Sequence, residues 1–585
     1  MIGVLRRVIS IVEEEAAKLA AEFFRPEGPR GRRGHCAADR EMEERLREQL
    51  TRVMPCGFAG EETGFSEGRE KDYLWMVDPH DGTFEFMSGR RGSAVSVGLL
   101  RKNVPILGVV CSPLSPDRGR DTIAWGEGEP AILRNGAPVR SDLSKRKLAP
   151  GEFVFATASS AFKPLTWARA ASPARTVAMA SIAYRMARIA CGDGVATVST
   201  HGVNEYDIAA GMALIRAAGG VVLDAEGNEI TLAGDVARRV SGVFAGSREA
   251  VETLVRFAWN ELESEPRREP RVQLGFPRKE QGLRLSRATG ALLGQVIGDS
   301  LGSRVEFKNA AEIAKGFPEG VRDLADGGVY HTMAGQPTDD SEMALALARS
   351  ILKEKSYKSE KALDAYREWL QTRPIDVGET TERGLLGMHT TESESNGSLM
   401  RISPVGIWAT GDPARAAKAA RQDSALTHPN PVCVEACAGY AAAIAVGVGG
   451  GNRDAMLEAA LKHADGRARA AIMLGATSTP PADYEKRMGW VLIALQNAFY
   501  QLFHASFEEG VIKSASAGGD TDTNAAIAGA LLGAAHGRDA IPSRWILPVL
   551  ACRPLAEAGA ARPRPMAYWP DDVLELAEGL LLLAP

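Results

Sequence analysis

The pattern of apolar positions changes in kind near residue 260. Before that point, helical spacing runs over residues 2–24 and 42–53, and β-rich runs bounded by turn residues occur at 73–79, 93–100 and 106–113. A spacing of 3.6 residues indicates helices, and short β-branched runs indicate strands. After that point, Ala-rich helical segments recur with few β-branched runs at 285–302, 341–353, 359–371, 380–388, 432–447, 453–463, 484–504 and 523–536. The pattern predicts a mixed α/β first half and an all-α second half.

The first half continues with a helix over 181–190, a strand over 195–199 and a helix that begins at Asp207. This last helix ends at Gly219-Gly220, since glycine is the common residue just past a helix C-terminus. The run behind it, VVLDAEGNEITL, predicts a hairpin around Glu226-Gly227.

A segment dense in charge and proline separates the two halves. Residues 261–282, ELESEPRREPRVQLGFPRKEQG, show no sustained apolar period, which is typical of a linker. The length of 585 residues also exceeds what a single hydrophobic core supports. We therefore predict a domain over 1–260, a linker over 261–282 and a domain over 283–585.

Composition narrows the functional classes. The net charge of -5 offers no general attraction for nucleic acid or membrane. Neither a secretory signal nor a run approaching the ~18 apolar residues of a membrane helix is expected. The seven cysteines are odd in number and lack metal-type spacing, so they indicate reduced thiols in a cytoplasmic protein.

Acidic residues of the first half gather in three motifs: GEET at 60–63, WMVDPHDGTFEF at 75–86 and EYDIAAG at 205–211. Asp78 and Asp81 leave a buried strand through a turn that contains proline, Glu61 can converge on them, and Asp207 stands at a helix start. Four carboxylates in one place repel one another unless metal ions intervene. The alternative is an ordinary Asp/Pro/Gly turn beside a helix cap, but the joint presence of all three motifs favours a metal site.

These motifs resemble the inositol monophosphatase superfamily of magnesium-dependent phosphatases, over essentially all of residues 1–260. The resemblance implies a layered αβαβα sandwich, two or three Mg²⁺ ions and a water oriented by Glu61 and Thr83. It implies metal ligands at Glu61, Asp78, Asp81, Asp207 and the backbone carbonyl of His80, with Asp39 near a third metal. The backbone N–H groups of Gly82 and Thr83 are candidates for cradling phosphate.

This chain departs from the superfamily at two positions. His80 stands where isoleucine or leucine is usual, and Tyr206 stands where tryptophan is usual. DGTFEF, SVGLL and ILGVVCSP look most similar to the 3'(2'),5'-bisphosphate nucleotidase branch. Arg185 and Arg188 are candidates for holding a second phosphate. A nucleotide or sugar phosphate is the expected substrate class.

The second half carries two doubled acids, each at the start of an apolar helix. They are Thr338-Asp339-Asp340-Ser341 before MALALARSIL, and Asp520 with Asp522 in AGGDTDTNAA. The alternative is that these acids only cap their helices, since a carboxylate at a helix N-terminus gains about 0.3–1 kcal/mol from the helix dipole. Capping does not explain doubled acids in both places, so we predict a pair of divalent cations held between them.

The ordered set GALLGQVIGDSLGSRVEF, GQPTDDSEMALAL, PIDVGETT, SNGSLMRISPVGI, THP and GGDTDTNAA resembles the ADP-ribosylglycohydrolase family, over roughly 283–560. The resemblance implies two Mg²⁺ or Mn²⁺ ions on Thr338, Asp339, Asp340, Asp520, Asp522 and Thr523. Asp376 and Glu306 both match catalytic acids of the family, and Asp376 ranks first. Asn396, Gly397 and Ser398 are candidates for contacting substrate, whereas Arg401 could equally pair with an interior acid and His428 is expected to be structural.

The leading hypothesis is a bifunctional cytoplasmic hydrolase. One half would be a phosphomonoesterase on a nucleotide or sugar phosphate, and the other would cleave an ADP-ribosyl glycosidic bond on a protein or small molecule. A homo-oligomer is compatible with the sequence. The alternative hypothesis is that one domain is a non-catalytic module that binds ADP-ribose or a nucleotide and regulates the other.

Overall fold

The computed structural model describes residues 1–32, 34–279 and 282–585. By its contacts the chain divides into two compact units, the first built mainly from Met1–Pro270 and the second ending at Pro585. Part of the charged segment is ordered against one unit or the other. Arg271 donates to Met566 O and pairs with Asp571 in the second unit, while the ring of Phe276 packs 5.2 Å from that of Phe23 in the first. The boundaries of the linker stay a prediction.

The first unit mixes helices and strands. Its helices are α1 (Ile2–Phe23), α2 (Ala37–Val53), α3 (Thr83–Met87), α4 (Pro164–Ala171), α5 (Ile182–Ala190), α6 (Glu205–Ala217), α7 (Arg248–Val255) and α8 (Glu261–Ser264). Its strands are β1 (Gly31–Arg32), β2 (His35–Cys36), β3 (Cys56–Gly60), β4 (Gly64–Ser66), β5 (Glu70–Asp81), β6 (Ala94–Arg101), β7 (Val104–Ser112), β8 (Asp121–Gly126), β9 (Ile132–Arg134), β10 (Ala137–Val139), β11 (Phe153–Thr157), β12 (Arg175–Met179), β13 (Ala196–Ser199), β14 (Val203–Asn204), β15 (Val221–Leu223), β16 (Arg239–Val240) and β17 (Val243–Gly246).

Two sheets and three helix layers alternate in this unit. The larger sheet has the strand order β10-β9-β8-β7-β6-β5-β3-β4, and the smaller one has the order β12-β11-β13-β17-β15. Helices α1 and α2 cover one face of the larger sheet, α5 and α6 lie between the sheets, and α4 and α7 cover the outer face of the smaller one. The αβαβα expectation is therefore confirmed.

The predicted hairpin around Glu226-Gly227 forms as a short one. An antiparallel bridge between Leu223 and Glu229 and two backbone hydrogen bonds join its arms, and β15 also pairs antiparallel with β17. One local expectation needs correction: helix α2 begins at Ala37 and not at Met42. The sequence pattern missed its first turn, which contains Asp39, because that turn is polar and has no apolar period.

The second unit is helical, as predicted. Its helices are α9 (Gly282–Gly302), α10 (Ala310–Gly316), α11 (Asp339–Glu354), α12 (Ser359–Gln371), α13 (Glu379–Leu385), α14 (Ser403–Trp408), α15 (Pro413–Ala425), α16 (Pro431–Val448), α17 (Arg453–His463), α18 (Gly466–Ala476), α19 (Val491–His504), α20 (Phe507–Ala515), α21 (Thr521–His536), α22 (Ser543–Leu550) and α23 (Val573–Leu582). Helix α19 starts at Val491, later than the pattern predicts, because Gly489 has a positive φ of 79° that interrupts the helical path.

Helices α9 and α21 cross at very short range because small residues face each other along both. A Cβ atom added at Gly298 would lie 2.1 Å from Ala525 O, and one added at Gly533 would lie 2.0 Å from Gly290 O. Only the hydrogen of glycine fits at such distances. This packing brings the C-terminal end of α9, at Gly302, against the first turn of α21, where Asp522 lies.

Helix α16 is the apolar segment that the sequence pattern underestimated. Among the described residues it is the one helix long and apolar enough to cross a membrane, with a mean hydropathy of 1.7 over 18 residues. However, 72% of that stretch is buried inside the protein. Core helices of globular proteins share this composition, so α16 is a central helix of the second unit.

Candidate active sites

The first acid cluster forms where β5 ends. Asp78 and Asp81 lie at the end of this strand, where its pairing with β6 shifts register, Glu61 directly follows β3 and Asp207 lies in the first turn of α6. Burial raises the pKa of Asp78 well above its ordinary value, and the neighbouring charges of Glu61, Asp81 and Asp207 raise it further. The structure thus brings the four predicted carboxylates of the first half together.

Hydrogen bonds from the backbone hold three of these carboxylates in place. Each accepts a nearby backbone N–H: Asp78 from His80 at 2.8 Å, Asp81 from Ala183 at 2.7 Å and Asp207 from Asn204 at 2.7 Å. The pKa values of Asp81 and Asp207 are nevertheless raised, chiefly by burial. Desolvation and mutual repulsion thus outweigh the N–H groups, so the carboxylates would take up protons unless a cation compensates them.

Glu61 is supported by an acid that the sequence did not reveal. The buried Glu43 carboxylate accepts N–H groups from Glu62 at 2.9 Å and Thr63 at 2.6 Å, which fixes the loop after β3. The Glu61 residue is exposed as a whole, but desolvation around its carboxyl group raises its pKa to about 7. Glu43 lies one turn after Asp39 on α2. It was missed because the sequence around it is rich in charged residues, which is typical of an exposed helix face.

The turn after β5 is joined to Asp39 of α2 through Thr83 and His80. Gly82 adopts a positive φ of 96°, as its place before α3 requires. Thr83 Oγ1 donates to His80 O at 2.7 Å and makes a long contact of 3.4 Å with Asp39. The His80 imidazole Nδ1 lies 2.7 Å from Asp39 Oδ1. The sequence predicted a role for the carbonyl of His80 but did not predict this pair.

The two arginines proposed for a second phosphate are interior residues. Arg185 is 1% exposed and donates to Val198 O at 2.6 Å. Arg188 is fully buried and pairs with Asp117 at 2.8 Å. Because burial and existing partners occupy both guanidinium groups, we withdraw their assignment to a second phosphate.

The second acid cluster forms where the first turns of α11 and α21 meet α9. Donor atoms of Asp299, Asp340 and Asp522 lie within 4.8 Å of one another, and so do those of Glu306, Asp520 and Asp522. Asp522 therefore belongs to two adjoining triads of carboxylates. These triads contain only oxygen donors, and such donors suit hard divalent cations.

Asp299 is the functional candidate that the sequence analysis missed. It lies in the last turn of α9, is fully buried, and accepts Thr338 N at 3.0 Å, Thr338 Oγ1 at 2.9 Å and Ser341 N at 3.0 Å. It therefore holds the start of α11 against α9. Its signal was an unpaired acid within the glycine-spaced apolar run GALLGQVIGDS, since a charge inside a buried helix is costly without a partner.

Glu306, Tyr330 and Asp376 border this cluster. Burial raises the pKa of Glu306 to about 8, and the charges of Asp520 and Asp376 contribute in the same direction. Asp376 is half-buried, and its charge raises the pKa of Asp339 as well, although burial has the larger effect there. Tyr330 lies against Glu306, and no sequence pattern indicated this residue. Both predicted catalytic acids are therefore close to the predicted ligands.

Buried carboxylate oxygens without hydrogen-bond partners show whether this cluster is suited to binding cations. Asp340 Oδ1 and Glu306 Oε2 are buried and have no hydrogen-bond partner within the described part of the chain. Burial and like charges raise the pKa values of Asp339, Asp340 and Asp522 well above their ordinary values, and burial raises that of Asp299 to about 6. Crowded carboxylates with unpaired oxygens are what divalent cations would satisfy.

The loop at 395–401 meets the cluster at Asn396. Asn396 Nδ2 donates to Asp520 Oδ2 at 2.6 Å. Gly397 packs so closely that an added Cβ would lie 2.6 Å from Thr381 Oγ1. The hydroxyl of Ser398 is fully buried against that of Ser424 at 2.9 Å, so we no longer assign this hydroxyl to substrate.

Two other candidates of this half are structural. Arg401 is fully buried and donates to Asp423 at 2.9 Å. His428 is also fully buried, and its Nδ1 and Nε2 lie 2.7 Å and 2.9 Å from Thr427 and Ser395. Burial lowers the pKa of His428 to about 3, so this imidazole stays neutral and fixes the loop.

Sequence comparisons match each unit to a different family. The family described as ADP-ribosylglycohydrolase matches residues 280–581, and the inositol monophosphatase family matches residues 5–263. Members of both are hydrolases that generally depend on divalent metals.

Individual relatives agree with this division. The second unit is 33% identical over 273 residues to the ADP-ribosyl-[dinitrogen reductase] glycohydrolase of Rhodospirillum rubrum. This match covers 44% of this chain and 89% of that protein. It is 27% identical over 280 residues to the ADP-ribosylarginine hydrolase Tri1 of Pseudomonas putida, covering 45% and 74%. The first unit is 39% identical over 113 residues to the inositol-1-monophosphatase of Caulobacter vibrioides, covering 19% and 41%.

Proposed function

This chain belongs to the ADP-ribosylglycohydrolase family by its second unit and carries an inositol monophosphatase family domain in its first, and from this premise we propose that it is a bifunctional hydrolase. The first unit would release phosphate from a nucleotide or sugar phosphate. The second would hydrolyse an ADP-ribosyl glycosidic bond. The observation that carries the proposal is that the acids of each half converge in a cluster whose raised pKa values call for cations.

In the first unit, Glu61, Asp78, Asp81, Asp207 and the carbonyl of His80 would hold two or three Mg²⁺ ions. Such ions polarise phosphoryl oxygens and lower the pKa of a bound water. Thr83 and Glu61 would orient the attacking water, and the backbone N–H groups of Gly82 and Thr83 would contact phosphate. The nearness of Thr83 Oγ1 to the carbonyl of His80 supports this arrangement.

In the second unit, the cations would lie between α11 and α21, held by Thr338, Asp339, Asp340, Asp520, Asp522 and Thr523. Two Mg²⁺ or Mn²⁺ ions would supply sites for ribose hydroxyls and for a water. We add Asp299 as the residue that positions Thr338. Thr523 approaches Asp340, and this contact opposes the rise in the pKa of that acid.

Asp376 is the preferred catalytic acid of the second unit. Cleavage at the anomeric carbon of ribose builds positive charge on the sugar, so a nearby carboxylate can stabilise that charge or accept a proton from water. Asp376 is half-buried, whereas Glu306 is 5% exposed and packed within an acid triad. This difference supports Asp376 as the acid that faces substrate and Glu306 as a neighbour of the cations.

ADP-ribosyl-arginine is the linkage we propose to test first, because the name of the Pseudomonas putida relative refers to that bond. The wild-type chain should release ADP-ribose from ADP-ribosyl-arginine in the presence of Mg²⁺ or Mn²⁺, and Asp520→Asn should abolish this release. Unchanged turnover in Asp520→Asn would contradict the assignment of Asp520. Binding of ADP-ribose without turnover by the wild type would favour a binding module instead.

The phosphatase half requires a separate assay. Phosphate release should be measured with Mg²⁺ on phosphoadenosine phosphate, phosphorylated ADP-ribose, NADP and inositol phosphates. Release from a nucleotide substrate would support the bisphosphate nucleotidase branch, and release from inositol phosphates would support the branch named by the Caulobacter relative. No release from any of them would refute the catalytic assignment of the first unit.

We also propose a cytoplasmic location, supported by free and buried cysteines at all seven positions, as reducing compartments favour.

A further inference from the structure

Beside the first acid cluster lies a group of side chains with a different chemistry. Cys36, Asp39 and His80 each offer one donor atom, and these atoms lie within 4.8 Å of one another. The three residues are 0%, 2% and 1% exposed. A thiol, a carboxyl group and an imidazole in contact form the donor set that zinc prefers in proteins, whereas the neighbouring acid cluster is made only of oxygens.

Local structure explains how the group assembles. Cys36 ends β2 and is the residue just before α2, and Asp39 lies in the first turn of that helix. A spacing of three residues at a tight backbone turn is also the spacing of paired ligands in many zinc sites. His80 arrives from β5, and its Nδ1 lies 2.7 Å from Asp39 Oδ1. Three segments of the chain therefore converge on one buried point.

The imidazole of His80 has one nitrogen that faces Asp39 and one that the described residues leave unpaired. His80 Nε2 is buried and makes no hydrogen bond to any residue that the structure describes, and the His80 side chain is 0% exposed. Buried polar atoms are nearly always paired. The ring contacts Phe86 edge-on at 4.4 Å, which fixes its plane but provides no acceptor or donor.

We propose that Cys36, Asp39 and His80 form a binding site for a thiophilic divalent cation of the zinc class, distinct from the magnesium-type acid cluster. Zinc bonds of 2.0–2.3 Å in a tetrahedron place ligand atoms about 3.3–3.8 Å apart. The Asp39 to His80 distance of 2.7 Å therefore has to open by roughly 0.6 Å, which small side-chain rotations supply. Binding forms a bond from Cys36 Sγ to the cation and releases the thiol proton to solvent.

This site would inhibit the first unit. Asp39 also contacts the hydroxyl of Thr83, so a cation bound to Asp39 competes with that contact and disturbs the proposed water-orienting residue. The inhibitory consequence rests on the proposed phosphatase function, whereas the binding itself does not. The two are therefore tested by different measurements.

Binding is tested with Co²⁺, which replaces zinc and reports its ligands by absorption. The full-length chain is freed of metal, saturated with Mg²⁺ to fill the oxygen sites, and titrated with Co²⁺. We expect a thiolate-to-cobalt charge-transfer band that is lost in Cys36→Ala and in His80→Leu. The matched control, Cys56→Ala, removes another buried cysteine of the same unit and should retain the band.

Each result decides the matter. A band in the wild type that disappears in both variants and persists in Cys56→Ala supports the site. Absence of the band in the wild type, its persistence in Cys36→Ala, or its equal loss in Cys56→Ala overturns it, and leaves a plain hydrogen bond between Asp39 and His80. His80→Leu carries the residue usual in the superfamily, so it protects the test against a Cys36 variant that fails to fold.

Inhibition is tested on whichever substrate releases phosphate. Zn²⁺ added with saturating Mg²⁺ should inhibit the wild type, and the concentration for half-inhibition should rise by at least about tenfold in Cys36→Ala, since loss of a ligand weakens metal binding at least that much. Equal inhibition of both proteins would overturn the inhibitory role. If no substrate releases phosphate, the proposed function fails, and the cobalt measurement still decides the binding site.

Discussion

Both acid clusters hold several carboxylates close together in the protein interior, but the two clusters differ in how fully hydrogen bonds satisfy these carboxylates. In the first unit, backbone N–H groups next to the cluster each hold one carboxylate, as with Asp78 and Asp207. In the second, Asp299 accepts the backbone N–H groups of Thr338 and Ser341, but Asp340 Oδ1 and Glu306 Oε2 are buried without a partner among the described residues. Because the second cluster keeps buried carboxylate oxygens that the protein does not satisfy, we expect it to depend more on its cations than the first.

The largest effect is expected when one acid of either cluster is replaced, because each replacement should reduce only the activity of its own unit. Asp340→Asn should reduce release of ADP-ribose by roughly 10²–10³-fold, because a bound metal contributes several kcal/mol to a transition state. Release of phosphate should not change. Asp78→Asn should show the reverse pattern. Both rates are measured on the same preparations, each with Mg²⁺ at saturation.

Exposed acids provide the controls for this pair. Asp454→Asn in the second unit and Asp72→Asn in the first remove charges that lie on the surface, and neither should alter either rate. If Asp340→Asn lowered both activities equally, the two clusters would not be independent sites.

Sequence patterns revealed the acids that stand at conspicuous places. Doubled acids before apolar helices at Asp339-Asp340 and at Asp520 and Asp522 indicated a cluster, because capping needs only one charge. Asp299 was missed because it lies within a helix, and only the glycine contacts between α9 and α21 bring it to Asp522. Which faces of two helices meet is set by tertiary packing, which single-chain periodicity does not contain.

The same reasoning explains what was missed in the first unit. The long strands β5, β6 and β7 have clear apolar runs and were predicted, whereas β11, β12 and β17 are short and were not. The contact between Asp39 and His80 joins residues 41 positions apart, and only the folded sheet and α2 place them together. The family resemblance gave positions for the ligands, but it could not give the partner of a histidine that replaces an aliphatic residue.

Removal of metal should destabilise the second unit more than the first. Glu306 has a pKa of about 8 in the folded, metal-free protein against an ordinary 4.5. A carboxyl group whose folded pKa is raised contributes stability below pH 4.5 and loses this contribution as the pH rises through 8. With chelator, the second unit should therefore be less stable at pH 8.5 than at pH 5.5. Cation at about 100 times its dissociation constant should restore about 2.7 kcal/mol.

Hydrogen exchange measured by mass spectrometry follows each unit separately in the full chain. We expect peptides of α9, α11 and α21 to exchange faster after chelation at pH 8.5 than peptides of β5 and α6. Equal acceleration in both units would show that backbone N–H groups confer no independence from metal. After correction for the intrinsic pH dependence of amide exchange, weaker protection at pH 5.5 than at pH 8.5 in the chelated protein would contradict the sign derived from Glu306.

A smaller effect tests whether the glycine contact maintains the second cluster. Gly529→Ala places a Cβ atom 2.2 Å from Gly294 O, so α9 and α21 have to separate. We expect a loss of about 1–3 kcal/mol in the free energy of unfolding, as for other overpacked cores, and weaker binding of Mn²⁺ to the second unit. Gly316→Ala is the matched control, because a Cβ there meets nothing within 4 Å. Equal losses in the two variants would remove the packing explanation.

The smallest effect concerns the side-chain amide that supports Asp520 in the second cluster. Asn396 donates to Asp520 at 2.6 Å, and a hydrogen bond to a charged group contributes about 1.5–3 kcal/mol. Since bound cations would also stabilise Asp520, we expect Asn396→Ala to lower release of ADP-ribose only about tenfold, the lower end of that range. Asn396→Asp should lower it further at limiting Mn²⁺ and recover part of the loss at high Mn²⁺, because the added carboxylate raises the demand for cation. Asn452→Ala removes only an exposed helix cap, and its activity should match the wild type. An Asn396→Ala variant with full activity would mean that the cations alone orient Asp520, and the contrast between the two clusters would then lie in their carboxylates and not in their supports.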